Sequence, residues 1–114
     1  DGCVVRADDL AHLGAVRLLF ELWGTPLLEE YVDTLVGALI REDRRGQLRS
    51  TLRAYLAYGG SQRLTAEHLG IHRNTLTYRL RQIRALLPVD PDDPATRLSL
   101  HLALIASELP PAEG

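Results

Sequence analysis

Apolar positions along this chain recur at helical rather than alternating spacing, in blocks punctuated by Gly and Pro. In the first block, Leu10, Leu13, Leu18, Phe20 and Leu22 predict a helix that Asp8 or Asp9 caps and that Gly24 stops just after Trp23. Thr25 and Pro26 then read as an N-cap followed by proline at the first helical position, and Leu27, Leu28, Tyr31, Leu35, Leu39 and Ile40 carry a second helix to about Arg41. The run REDRRGQ (41–47) has no apolar residue; it predicts a connection, or the exposed start of a third helix, without chemistry of its own. Leu48, Leu52, Tyr55 and Leu56 stand at i, i+4, i+7 and i+8, the stripe of a third helix ending at Gly59 and Gly60. The only β-like run, Cys3-Val4-Val5, is too short to found a sheet and reads as a frayed end. The pattern as a whole predicts an all-α, multi-helix bundle.

Residues 64–87, LTAEHLGIHRNTLTYRLRQIRALL, spell two short helices joined by a tight turn, a helix-turn-helix. Ser61 is a good N-cap for a helix over 62–69, Ala66 is small where two helices cross, and Gly70 supplies the positive φ of the turn. Valine at position 70 is therefore expected to strain the turn enough to unfold the motif. On the next helix, over 73–87, Leu76, Leu80, Ile83 and Leu87 fall within about a 60° sector and face the core. Asn74, Tyr78, Arg81 and Gln82 lie opposite, with Thr75 and Arg79 on one edge and Thr77 and Arg84 on the other; this outer face has no acid. Pro88 ends that helix, PVDPDDP forms an acidic loop, and Asp93-Pro94 starts a last helix that is apolar nearly all round. Such a helix has to be buried by its own domain or by a partner chain.

Charge sharpens this picture. The formal net charge of −2 is unpromising for nucleic acid until it is divided: over 59–87, Arg63, Arg73, Arg79, Arg81 and Arg84 face the single acid Glu67, so that segment is +4 and the remainder −6. A local excess of this kind is what a phosphate-facing patch produces. All 13 basic residues are Arg, which reads as codon bias and carries no mechanistic weight. A lone Cys3 excludes an intramolecular disulfide, and no apolar run reaches the roughly 18 residues of a membrane helix, so a cytoplasmic location is expected. The missing start Met suggests a fragment.

Three ordered segments, TLRAYL (51–56), TAEHLGIHRNTLTYRL (65–80) and DDPATRLSLHLAL (92–104), resemble the carboxy-terminal DNA-binding domain of the PucR family, bacterial regulators of purine and sugar-diacid catabolism. HRNTLTYRL (72–80) is also similar to the recognition helix of Fis-type domains. The resemblance implies a transcription regulator, normally oligomeric, whose effector-sensing region lies upstream, and it makes residues 4–40 similar to the segment linking that region to the DNA-binding end. Arg79 departs from broader helix-turn-helix patterns, which often place an aliphatic there; Leu80 takes the buried role. The expected division is a helical linker region over 1–47 packing on the motif, the DNA-binding domain over 48–109 and a flexible tail over 110–114.

The expected partner is double-stranded DNA. Arg73, in the first turn, can pair bidentately with guanine, and Asn74 can either pair with adenine or bond the backbone as a cap. Thr75 suits a phosphate or a turn cap; Tyr78 suits a phosphate or packs against the third helix; His72 is structural or meets a phosphate. Thr77 and Arg81 are candidates for target-specific readout, whereas Arg63 and Arg79 suit phosphates. His68 and His72 with Glu67 invite a zinc-hydrolase reading, but Gly70 breaks the helix between them, so no metal, no cofactor and no catalysis are expected. The rival reading is an oligomerisation module with negligible DNA affinity of its own.

Overall fold

The computed structural model describes residues 17–110, which are helical in six segments and contain no strand. We number them α1 (described over 17–22), α2 (Pro26–Glu42), α3 (Gln47–Ala57), α4 (Gln62–Leu69), α5 (Arg73–Leu86) and α6 (Pro94–Ser107). The Cys3-Val4-Val5 run, the caps expected at Asp8 or Asp9 and the end of the tail lie outside the described residues.

Local chemistry sets most of the helix starts. Thr25 Oγ1 accepts from the Leu28 amide at 3.3 Å, and Pro26 follows at a position whose N–H would be unpaired in any case. Asp93 repeats the device ahead of Pro94, accepting from the Ala95 amide at 3.0 Å. Helix α3 is capped differently. Its N-cap is Gly46 in the left-handed region, and the buried carboxylate of Asp43 accepts from the amides of Leu48 (3.0 Å) and Arg49 (2.9 Å) and from Arg49 Nε (3.1 Å). The charged run at 41–47 is thus divided: Arg41 and Glu42 finish α2, a loop over 43–46 turns the chain, and Gln47 starts α3.

One core joins α2, α3, α5 and α6. Val36 and Leu39, Leu52 and Tyr55, Leu76, Leu80 and Ile83, and Leu100, Ala103 and Leu104 meet in it with almost no exposure. Each fully buried Leu or Ile contributes about 1.5–3 kcal/mol relative to exposure. Three such residues on α5 outweigh the few tenths of a kcal/mol that separate helix propensities, so packing sets the rotation of α5 about its axis. The apolar α6 lies against α2 and α3, and Tyr31 of α2 donates to the Ser99 carbonyl at 2.6 Å; Leu98 alone of its large residues stays 64% exposed. Leu19, Leu28 and Ala106 form a smaller cluster beyond it, where Trp23 Nε1 donates to the Pro110 carbonyl at 2.9 Å.

Burial works to raise the Asp43 carboxyl, but the two amides and the Arg49 side chain outweigh it and hold the group below the ordinary range. Its contribution to stability is therefore present above the unfolded pKa, about 3.9, and is lost as pH falls through the lower folded value. Asp43→Ala is expected to cost about 1–2 kcal/mol at neutral pH, the range for loss of a helix cap. Denaturant melts at pH 7 and pH 3 check it: the gap between wild type and variant should narrow in acid, and an equal gap at both would dismiss the carboxylate as the cause.

Candidate nucleic-acid interface

Helices α4 and α5 are joined by a turn whose hydrogen bonds account for every residue in it. The Gly70 amide bonds the Glu67 carbonyl at 3.2 Å and the Ile71 amide reaches back to the Ala66 carbonyl at 3.1 Å, a Schellman closure with Gly70 at φ 67°. Ala66 and Ile71 pack together against the core beneath it. A Cβ on Gly70 would meet nothing within 4 Å, so the structure lowers the cost expected for a side chain there to that of a positive φ alone. We expect Gly70→Val to cost roughly 1–2 kcal/mol without abolishing the fold, and Gly70→Asn less. Thermal melts of the two variants check this, and outright unfolding by valine would mean that the turn is packed more tightly than it is here.

His72 caps α5. Its Nδ1 accepts from the Asn74 amide at 3.0 Å, so the ring proton sits on Nε2, on an exposed side chain at the helix start. The capping alternative for Asn74 is thereby excluded, because Asn74 is inside the first turn with its side chain exposed. Leu76, Leu80 and Ile83 are fully buried, and α5 turns the opposite face outward with Arg73, Asn74, Thr75, Thr77, Tyr78 and Arg81 all exposed. Tyr78 is 59% exposed, beside Gln47 and Leu48 of α3 on one cleft. Helix α5 holds no acidic residue, and its N-terminus carries the positive end of the peptide dipoles.

The arginines counted together in the sequence separate in space. Arg63 pairs with Glu67 at 3.1 Å one turn along α4, both well exposed. Arg84 pairs with Asp92 at 2.8 Å, and Tyr55 donates to the other oxygen of the same carboxylate. Those two donors hold the Asp92 carboxyl below its usual range, the Tyr55 bond first. Arg79 is half-buried, its Nη1 3.4 Å from the hydroxyl of buried Thr51, which itself donates to the Gln47 carbonyl. Arg73 and Arg81 form no ion pair among the described residues. The exposed Thr77 donates its hydroxyl to the Arg73 carbonyl at 3.0 Å.

The two histidines that suggested a metal take different partners: His68 Nδ1 lies 3.2 Å from the Tyr58 hydroxyl, whereas His72 Nδ1 accepts from the Asn74 amide. Among the described residues no three His, Cys, Asp or Glu side chains come together as a metal site would require. Arg44 and Arg45, in the loop between α2 and α3 and outside the basic segment 59–87, line a cleft with Thr75, Tyr78, Arg79 and Gln82 of α5.

Residues 48–106, spanning α3 to α6, match the family described as the PucR C-terminal helix-turn-helix domain. The chain belongs to the PucR family. Its relatives include a protein encoded in the pkwA 5′ region of Thermomonospora curvata, 44% identical over 62% of this chain and 40% of that protein. The proline-responsive transcriptional activator PutR of Bacillus subtilis is 33% identical over 85% of this chain and 24% of its own length. The carbohydrate diacid regulator of Escherichia coli is 41% identical over 58% of this chain and 17% of its own. The chain therefore spans less than half the length of these relatives. No solved structure matches it. Among the described residues no helix is long and apolar enough to cross a membrane.

Proposed function

We propose that this chain binds double-stranded DNA sequence-specifically, as the carboxy-terminal domain of a PucR-type transcription regulator, with α5 entering the major groove. The observation that carries the reading is the outward face of α5: exposed, free of acid, and bearing Arg73 and Arg81 unpaired among the described residues while the core holds the helix at one rotation. Arg73 and Asn74 in the first turn address base edges; Thr77 and Arg81 tune the choice of site. His72, Thr75, Tyr78, Arg63 and Arg79 meet phosphates, which position the domain without reading sequence. Arg79 does so with the guanidinium nitrogens not turned to Thr51. The regulators among its relatives support a role in transcription and none in catalysis. A cytoplasmic location and an effector-sensing region upstream on the same polypeptide belong to this reading.

Selection from a random duplex pool, followed by binding of the enriched and scrambled duplexes over a salt series, tests it. Enrichment of a defined site is expected, with affinity falling steeply as salt rises. Failure to enrich any site, with no retention at low salt, would leave the oligomerisation module instead. That role also draws support: Leu18, Phe20, Leu27 and Leu98 are exposed apolar side chains. A homo-oligomer that also binds DNA accommodates both, and sedimentation across a concentration range measures it.

A further inference from the structure

We propose that Arg44 and Arg45 clamp the backbone phosphates of one DNA strand beside α5; the proposal rests on the reading of α5 as the groove-entering helix. The loop that carries them is fixed at both ends. Asp43, buried with three hydrogen bonds, ties its start to the first turn of α3, and Gly46 closes it in the left-handed region at φ 75°. A rigid loop presents its side chains without a large ordering cost.

Arg44 and Arg45 form one wall of a cleft of about 470 Å³, and Thr75, Tyr78, Arg79 and Gln82 of α5 form the other. Both loop arginines are exposed, and neither is in an ion pair among the described residues. Of the carboxylates on the cleft, Asp43 is engaged by Arg49, which leaves Glu42 against three guanidinium groups. Like charges lining one cleft repel one another, and an anion between them relieves the repulsion.

The position fits the geometry of a duplex. A helix in the major groove has a sugar-phosphate strand along each of its edges. One edge of α5 carries Thr77 and Arg84, and Arg84 is already neutralised by Asp92. The other carries Thr75 and Arg79 and opens, beside Tyr78 and Gln82 of the outer face, into the cleft, so a strand passing there meets Arg44 and Arg45 as well. Guanidinium forks suit phosphate oxygens bidentately.

The test uses the 114-residue chain on a duplex selected from a random pool and on its scrambled counterpart, with phosphate-ethylation interference on the first. The Arg44→Gln/Arg45→Gln variant should weaken both duplexes by the same factor, lower the salt slope by about two, and lose interference at phosphates on one side of the site. Arg44→Lys/Arg45→Lys should restore the slope, and both variants should keep wild-type helicity because the side chains are exposed. An unchanged slope in the Gln variant overturns the clamp while leaving α5 in the groove. So does a uniform loss with the wild-type interference pattern intact, which would be a distant charge effect. Wild-type chain that retains neither duplex at low salt overturns the clamp together with the reading beneath it.

Discussion

Leu76→Asp is expected to unfold the chain. Leu76 has no exposed surface and lies in the core shared by α2, α3, α5 and α6, so an aspartate there loses the transfer energy of the leucine and buries a carboxylate without a partner. The first loss is about 2–3 kcal/mol, and the second adds several more unless the group takes up a proton. Together they rival the whole stability of a small domain, about 5–15 kcal/mol. Far-ultraviolet circular dichroism should show the helical signal lost, and DNA retention should go with it. Leu98→Asp, on an exposed residue of α6, should stay within about 0.5 kcal/mol of wild type. Native helicity and melting temperature in Leu76→Asp would mean that α5 is rotated from the orientation described.

Arg73→Ala should leave the fold intact and act on recognition. Its side chain is exposed at the start of α5 and contributes no ion pair among the described residues, so nothing in the described packing is lost with it. If Arg73 reads a guanine, the variant loses about 1–3 kcal/mol on the selected duplex, five- to 150-fold in affinity at roughly 1.4 kcal/mol per decade, with the loss concentrated at one base pair. Binding to the scrambled duplex should change far less. The check is a set of selected sites, each altered at one base pair. Equal weakening of selected and scrambled duplexes would make Arg73 a phosphate contact and move the readout to Asn74, Thr77 and Arg81.

Much of the architecture was legible because the signals are local. Thr25-Pro26, Ser61 and Asp93-Pro94 each place a capping oxygen two or three residues ahead of an otherwise unpaired amide, and each does so in the structure. The rotation of α5 followed from Leu76, Leu80 and Ile83 because burial on one side dictates exposure on the other. What escaped depends on partners distant in sequence or on backbone placement. Asp43 looked like one more solvated charge in REDRRGQ, and only the fold around the start of α3 makes it a buried cap. Arg84 counted toward a basic patch until Asp92 answered it from the acidic loop, with Tyr55, 37 residues from that aspartate, completing the group. The cap of α5 fell to the imidazole of His72 rather than to Asn74 because helical geometry had already enclosed Asn74 in the first turn. Arg44 and Arg45 met α5 only through the path of the α2–α3 loop.

The chain contains one tryptophan, and its surroundings determine what its fluorescence can report. Trp23 meets Phe20 edge-on at a ring separation of 6.0 Å and bonds the Pro110 carbonyl with its indole N–H, beside a cleft lined by residues of α2 and α6 and none of α5. Its emission therefore follows the closure of the two ends of the described chain, and acrylamide quenching should detect their separation. No residue of α5 lines that cleft, so a change confined to the face of α5 reaches the fluorophore only through the fold or through assembly at the neighbouring Phe20, and Trp23 emission separates those two events from contact at α5 itself.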